Sequence, residues 1–331
     1  MTTVYLIRHA EAEGNIFRRL HGQYDSLLTP RGLTQVAALE RRFSTIPVDG
    51  CFSSDLTRTS LTSRAVYIPK GLHLHRDPRF REVDVGSWED MPIGNLCRKY
   101  PQQLKIFTEN PPEWHVEHSE PFDVYTQRFL EGMRDAAQRF DGGTVAIFGH
   151  GAVIRGTLMR LFPVEDMRDF PYCDNTGVCK LKYERGEFRA EFLNDSSHLP
   201  EVLTHGYLRR WRANADDPQN TTLFLQPEGA RGDGVRITGS LPEGTAGSIT
   251  LAGIREGVGY ISGMELKQSY VGRYYADQLL GCAFSHFRKL GCKEIEAAPG
   301  DYPEDILARY AFDTQSRRRS IDTEAFSWET P

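Results

Sequence analysis

The chain has 331 residues, 39% hydrophobic and 26% charged, with a formal net charge of -5. That balance fits a globular α/β-sized protein and argues against a nucleic-acid or membrane-surface binder that works through bulk positive charge. The length exceeds what one core usually serves, so two domains are expected.

Thr3–Ile7 is a compact apolar strand, and it runs directly into Arg8-His9. Thr29-Pro30 opens a helix, with Thr29 as N-cap and Pro30 in the first turn, and the helix runs through Val36, Leu39 and Phe43. Val48–Ser53 is the next strand, and a helix containing Thr57–Val66 follows. His73–His75 alternates as part of a short strand. Apolar residues at Tyr125, Phe129, Met133 and Ala136–Ala137 recur at helical spacing between Phe122 and Phe140. Gly142–Gly143 opens the strand Thr144–Phe148, which ends at Gly149-His150-Gly151 before a helix over Val153–Leu161. This alternation predicts a largely parallel sheet with helices on both faces.

The pattern weakens between about 196 and 219, where ANADDPQN (213–220) is polar and turn-rich. The domain boundary is placed near there, giving units 1–205 and 206–331. Beyond it come strands at Thr222–Leu225, Val235–Thr238, Ser248–Ala252 and Tyr260–Leu266, then a helix over Arg273–Leu290 stopped by Gly291. A strand at Glu294–Ala297 and a helix over Pro303–Tyr310 complete the chain. The six cysteines are scattered without a CxxC pair, so reduced thiols in a cytoplasmic setting are expected. No apolar run reaches membrane-spanning length, and no leader pattern opens the chain.

Four segments carry candidate chemistry. Arg8 and His9 end a strand, where open α/β sheets bind ligands. His150 ends a second strand between two glycines that allow close approach. In FSSDLTRTSLTSR (52–64), Ser53-Ser54 can cap a helix whose first turns carry Arg58, a ready anion site. In REVDVGSWED (81–90), Glu82 stands near Gly86 and Trp88, and a carboxylic acid beside apolar bulk can hold a proton and donate it.

RHAEAEGN, GQYDSLLTPRGLTQ, SSDLTRTSLTSR, REVDVGSWED and VAIFGHGAVIRG occur in the order seen in the histidine phosphatase, or phosphoglycerate mutase-like, superfamily. Residues 1–200 resemble that family; Ala10 and Thr59 replace its usual glycine and alanine. The resemblance implies a three-layer α/β/α phosphoglycerate mutase-like domain. It implies His9 as phosphoryl acceptor, Arg8, Arg58, His150 and Asn15 around the phosphate, and Glu82 as proton donor. Two arginines and a second histidine can neutralise a phosphoryl group without a metal, and no cofactor is required. Trp114 is expected to line the substrate entrance, with His115 and His118 near it in what is by default a solvated loop, and Gln23 to reach the substrate from the opposite wall. The expected reaction is metal-independent phosphomonoester hydrolysis through a phosphohistidine, on a small phosphorylated metabolite. A phosphoglycerate-type mutase and a bifunctional phosphatase/N-acetyltransferase stay open, as does a homodimer.

GYISGMELKQSYVGRYYADQLLGCAFSHFRKLGCKEIEAA (259–298) and ILARYAFD (306–313) are similar to the GNAT acetyltransferase fold. That resemblance implies a smaller GNAT-like α/β domain and leaves acetyl-CoA open as a ligand. Tyr274 stands where the family's glycine lets phosphate reach the backbone, which points to a non-catalytic module.

Overall fold

The computed structural model describes residues 1–163, 170, 173–204, 222–231 and 234–325. The expected boundary near residue 205, with the ANADDPQN segment, lies outside the described residues.

The fold starts from the strand Thr2–Arg8, whose side chains alternate between two buried faces. Val4 and Leu6 join Val145 and Ile147 under the helices Phe122–Arg139 and Gly151–Leu161. Tyr5 and Ile7 join Ala146 and Phe148 under the helices Pro30–Phe43 and Thr57–Tyr67. A strand buried on both faces needs a helical layer on each, so the result is α/β/α.

The sheet has six strands in the order Leu74–Arg76, Gly50–Ser53, Thr144–Gly149, Thr2–Arg8, Val178–Glu184, Glu187–Asp195. The first four are parallel. The last two form an antiparallel hairpin on one edge. Its turn, Arg185-Gly186, has positive φ at both residues, the geometry of a tight hairpin. This hairpin was not among the expected elements.

Thr29 caps its helix as expected, accepting the N–H of Gly32 at 2.9 Å. The Thr57–Tyr67 helix departs from expectation. Ser54 is not its N-cap, which is Leu56. The free N–H of Thr57 is met instead by Asp25, at 2.9 and 3.2 Å. The cap is therefore tertiary and invisible to local pattern.

A second six-stranded sheet holds the strands Phe224–Arg231, Gly234–Leu241, Gly244–Arg255 and Val258–Leu266 as an antiparallel meander. The helix Tyr275–Lys289 then crosses to Glu294–Ala297, which pairs parallel to Val258–Leu266. Arg318–Ser320 adds an antiparallel edge. The expected strands and long helix of this half are present. The expected helix at 303–310 is split into a 3-10 turn, Pro303–Asp305, and a short helix, Ile306–Arg309.

The Tyr275–Lys289 helix is buried along one whole run, Tyr275 to Ser285. A helix buried all round must be covered on two sides. Its own sheet covers one side through Ile249, Leu251 and Ile261. The other side meets Phe17, whose ring lies 5.2 Å from that of Phe284. Gly281 makes this approach feasible, since a Cβ there would sit 2.6 Å from the Cβ of Phe17. Gly281→Val is therefore expected to lower stability by about 1–3 kcal/mol through overpacking. A urea titration should show a lower midpoint with an unchanged slope.

Candidate active site

Three neighbouring parallel strands deliver the site. Arg8 pairs in register with Gly149, and Ser53 with Phe148. His9 and His150 are the next residues on their strands, so both emerge at one sheet edge. Their ring centroids are 5.2 Å apart. The helix that follows Ser53 brings Arg58 to the same edge.

Arg8, His9, Asn15, Arg58 and Glu82 line one cavity of about 900 Å³. His9 is buried, and its Nδ1–H donates to the Ala10 carbonyl at 2.7 Å. That bond leaves the lone pair on Nε2. Burial, then the charges of Arg58 and Arg8, hold the His9 pKa well below its usual value. The ring is neutral at physiological pH, as a nucleophile requires.

Arg58 is 2% exposed. It donates to the carbonyls of Tyr24, at 2.9 Å, and Gly22, at 2.5 Å. Its carboxylate contact, with Asp25, is long at 3.9 Å. Carbonyl acceptors orient a guanidinium without cancelling its charge. Arg8 donates to the Cys173 carbonyl at 2.6 Å. Asn15 accepts the N–H of Ala12 on its Oδ1, which leaves the NH₂ group as the face for a ligand.

His150 was expected around the phosphate, but it is fully buried beside His9 and does not line the cavity. Neither of its ring nitrogens has a hydrogen-bond partner among the described residues. Burial, then Arg58, keeps it neutral.

The setting of Glu82 differs from expectation. Its carboxylate is not held against apolar bulk. It accepts the N–H groups of Ala152, at 3.0 Å, and Val153, at 2.7 Å, at the start of the Gly151–Leu161 helix. The helix N-terminus that follows His150 thus fixes Glu82 beside it.

Two expected substrate contacts fall elsewhere. Trp114 is 4% exposed and packs against Trp88 and Phe107, with ring centroids 5.5 and 4.8 Å away. It is core, and it does not line the cavity. The side chain of Gln23 donates to the Glu82 carbonyl at 3.2 Å and is not on the wall either. His21, two residues earlier, lines the cavity instead. Also unexpected were the helices Ile93–Lys99 and Pro101–Glu109, which bring Leu96, Leu104 and Phe107 to the cavity. Pro101 at a first helical position, with Leu104 and Phe107 three apart, was the available signal.

The buried imidazoles set a pH dependence of stability. Unfolded, His9, His21 and His150 titrate near 6.5. Folded, all three are lowered, His21 to about 3. Below pH 6.5 the unfolded chain therefore binds more protons than the native one, and stability falls as pH falls. The slope reaches about 1.4 kcal/mol per pH unit for each histidine. Urea midpoints should drop between pH 7.5 and 5, and less steeply in His21→Gln. A flat profile would contradict burial of neutral rings.

A model of the histidine phosphatase superfamily (branch 1) matches residues 4–196. Phosphoserine phosphatase 1 of Hydrogenobacter thermophilus is 28% identical over 208 residues, 62% of this chain and 99% of that protein. The "Probable phosphoglycerate mutase GpmB" of Yersinia pestis is 29% identical over 206 residues, 60% of this chain and 95% of its own. Among solved structures, Bacillus stearothermophilus YhfR is 28% identical, with a TM-score of 0.57 over 60% of this chain and 99% of its own. A mycobacterial glucosyl-3-phosphoglycerate phosphatase, 21% identical with a TM-score of 0.54 over 59% of this chain and 99% of its own, shares the fold. With over half its length matched in this way, and with its cavity built on that length, the chain belongs to the histidine phosphatase superfamily, branch 1.

Proposed function

We propose that this histidine-phosphatase-type phosphomonoester hydrolase works through a phosphohistidine on His9. The observation that carries the reading is the neutral, Nδ1-anchored His9 ring facing a cavity lined by Arg8, Arg58 and Glu82 among others.

In the first step the Nε2 lone pair of His9 attacks phosphorus, and the bond to the ester oxygen breaks. Arg8, Arg58 and the amide of Asn15 neutralise the non-bridging oxygens. Glu82 gives the leaving oxygen its proton. The proton that Glu82 gives up here is the one it recovers from water in the second step. In the second step Glu82 takes a proton from water, the water attacks phosphorus, and the N–P bond breaks to release orthophosphate. No metal enters either step.

The substrate reading is a small phosphorylated metabolite. Phosphoserine and phosphoglycerates, named in the relatives, are the first compounds to screen. Hydrolysis is favoured over transfer within one substrate because the segment between Trp88 and Phe122 is modest in length, with the helices Ile93–Lys99 and Pro101–Glu109 as its main elements.

The C-terminal unit is read as a non-catalytic, GNAT-like module. Its helix start does not fit a pyrophosphate. Tyr274 sits there in a left-handed conformation (φ 58). Asp277, fully buried in the first turn, already places a carboxylate at the positive end of the helix, bonded to Arg309 and Tyr310. A second anion would meet like charge.

Wild type should hydrolyse p-nitrophenyl phosphate in the presence of EDTA, while His9→Ala releases no phosphate and forms no phosphohistidine. Undiminished turnover in that variant ends the mechanism. Glu82→Gln should lose on the order of 10²–10³ in rate on alkyl phosphates, and far less on p-nitrophenyl phosphate, whose leaving group needs no proton. Equal losses on both would remove Glu82 from the role.

A further inference from the structure

Asp90 is a buried carboxylate, 1% exposed, on a left-handed residue (φ 56). Its Oδ1 accepts Arg19 Nε at 2.6 Å and faces His21 Nε2 at 3.5 Å. Its Oδ2 meets Lys289 Nζ at 2.7 Å and accepts a short bond from the Ser285 hydroxyl. Arg19 also donates to the Ser285 Oγ at 3.0 Å. Four side chains thus close around one charge. Two of them, Arg19 and His21, line the catalytic cavity. The other two come from the last turns of the Tyr275–Lys289 helix, nearly two hundred positions further along the chain.

The same contact reaches Arg58. Lys289 Nζ lies 5.6 Å from the centroid of the Tyr24 ring, and the Tyr24 carbonyl accepts the Arg58 guanidinium. The segment from Arg19 to Tyr24 therefore carries four cavity residues, Arg19, Leu20, His21 and Gly22, and both carbonyl acceptors of Arg58, and the C-terminal helix meets it through Asp90.

We infer that Ser285 and Lys289 are positioning residues for the phosphatase site: by holding Asp90 they fix the Arg19–Tyr24 segment, and through it Arg58. The inference rests on the phosphatase reading of the cavity. Its physical basis is that a buried carboxylate deprived of one partner is left with uncompensated charge, around which the remaining partners rearrange. Arg19 and His21 would turn from the cavity wall, and the carbonyls that aim Arg58 would shift with them. The C-terminal unit is on this account part of the phosphatase site, although it supplies no group that touches the phosphate.

The test uses the full chain. Lys289 is half exposed, so Lys289→Met keeps the fold accessible. In that variant KM for p-nitrophenyl phosphate should rise about tenfold while kcat changes less than about threefold. Ser285→Ala should move KM the same way, and Lys289→Arg should restore it. A merely structural loss would lower the active fraction, cutting kcat at constant KM. Calorimetric titration with orthovanadate adds a readout without turnover: affinity should fall in Lys289→Met and return in Lys289→Arg. Wild-type turnover with KM and vanadate affinity unmoved in the variants overturns this inference alone. A wild type that neither hydrolyses the ester nor binds vanadate overturns the phosphatase reading and this inference together.

Discussion

The site depends on one constraint of the main sheet: three adjacent parallel strands end in register. Arg8 sits opposite Gly149, and Ser53 opposite Phe148, so the residues that follow each strand share one edge. A slip of one residue would exchange the two faces of a strand. Val4 and Leu6 would then lie where Tyr5 and Ile7 belong. Because both faces are packed by helices, the core itself locks the register. Catalytic geometry here is a consequence of core packing.

The electrostatics follow from where the charges find partners. Arg19, Arg31 and Arg128 bond closely to carboxylates and serve structure. Arg58 is held by backbone carbonyls and keeps its charge for a ligand. That charge, with burial, keeps His9 and His150 neutral. Burial would raise the Asp90 pKa, but Arg19, His21 and Lys289 more than reverse it and hold the group below the usual carboxylate range. A neutral imidazole in a positive cavity and a charged carboxylate in a paired cluster are two outcomes of the same low-dielectric setting.

The second sheet is joined to this site through its helix, by apolar and polar contacts together. Phe17 and Gly281 pack at one level. Arg288 donates to Glu13, at 2.9 Å, on the segment that leads from His9 to Asn15. Asn95 exchanges two hydrogen bonds with Leu225, tying the helices over the cavity to the first strand of the second sheet. The Tyr275–Lys289 helix lies in the core of the second sheet, and Ile16 and Phe17 of the first unit complete that core.

The sequence by itself determined the strands that end at Arg8 and Gly149, the Thr29 cap, the helices over Pro30–Phe43 and Phe122–Arg139, and the identity of Arg8, His9, Arg58, Glu82 and His150 as the candidate set. Those features are local: periodicity, capping and charged residues at strand ends are written within a few positions. Tertiary structure alone decided that Asp25 caps the Arg58 helix, that Glu82 rests on amides after His150 and not on Trp88, and that Trp114 is core while His21 lines the cavity. It alone brought Ser285 and Lys289 to Asp90. Each of these is a contact between residues distant along the chain, and no local period encodes which buried polar groups will meet once the chain has folded.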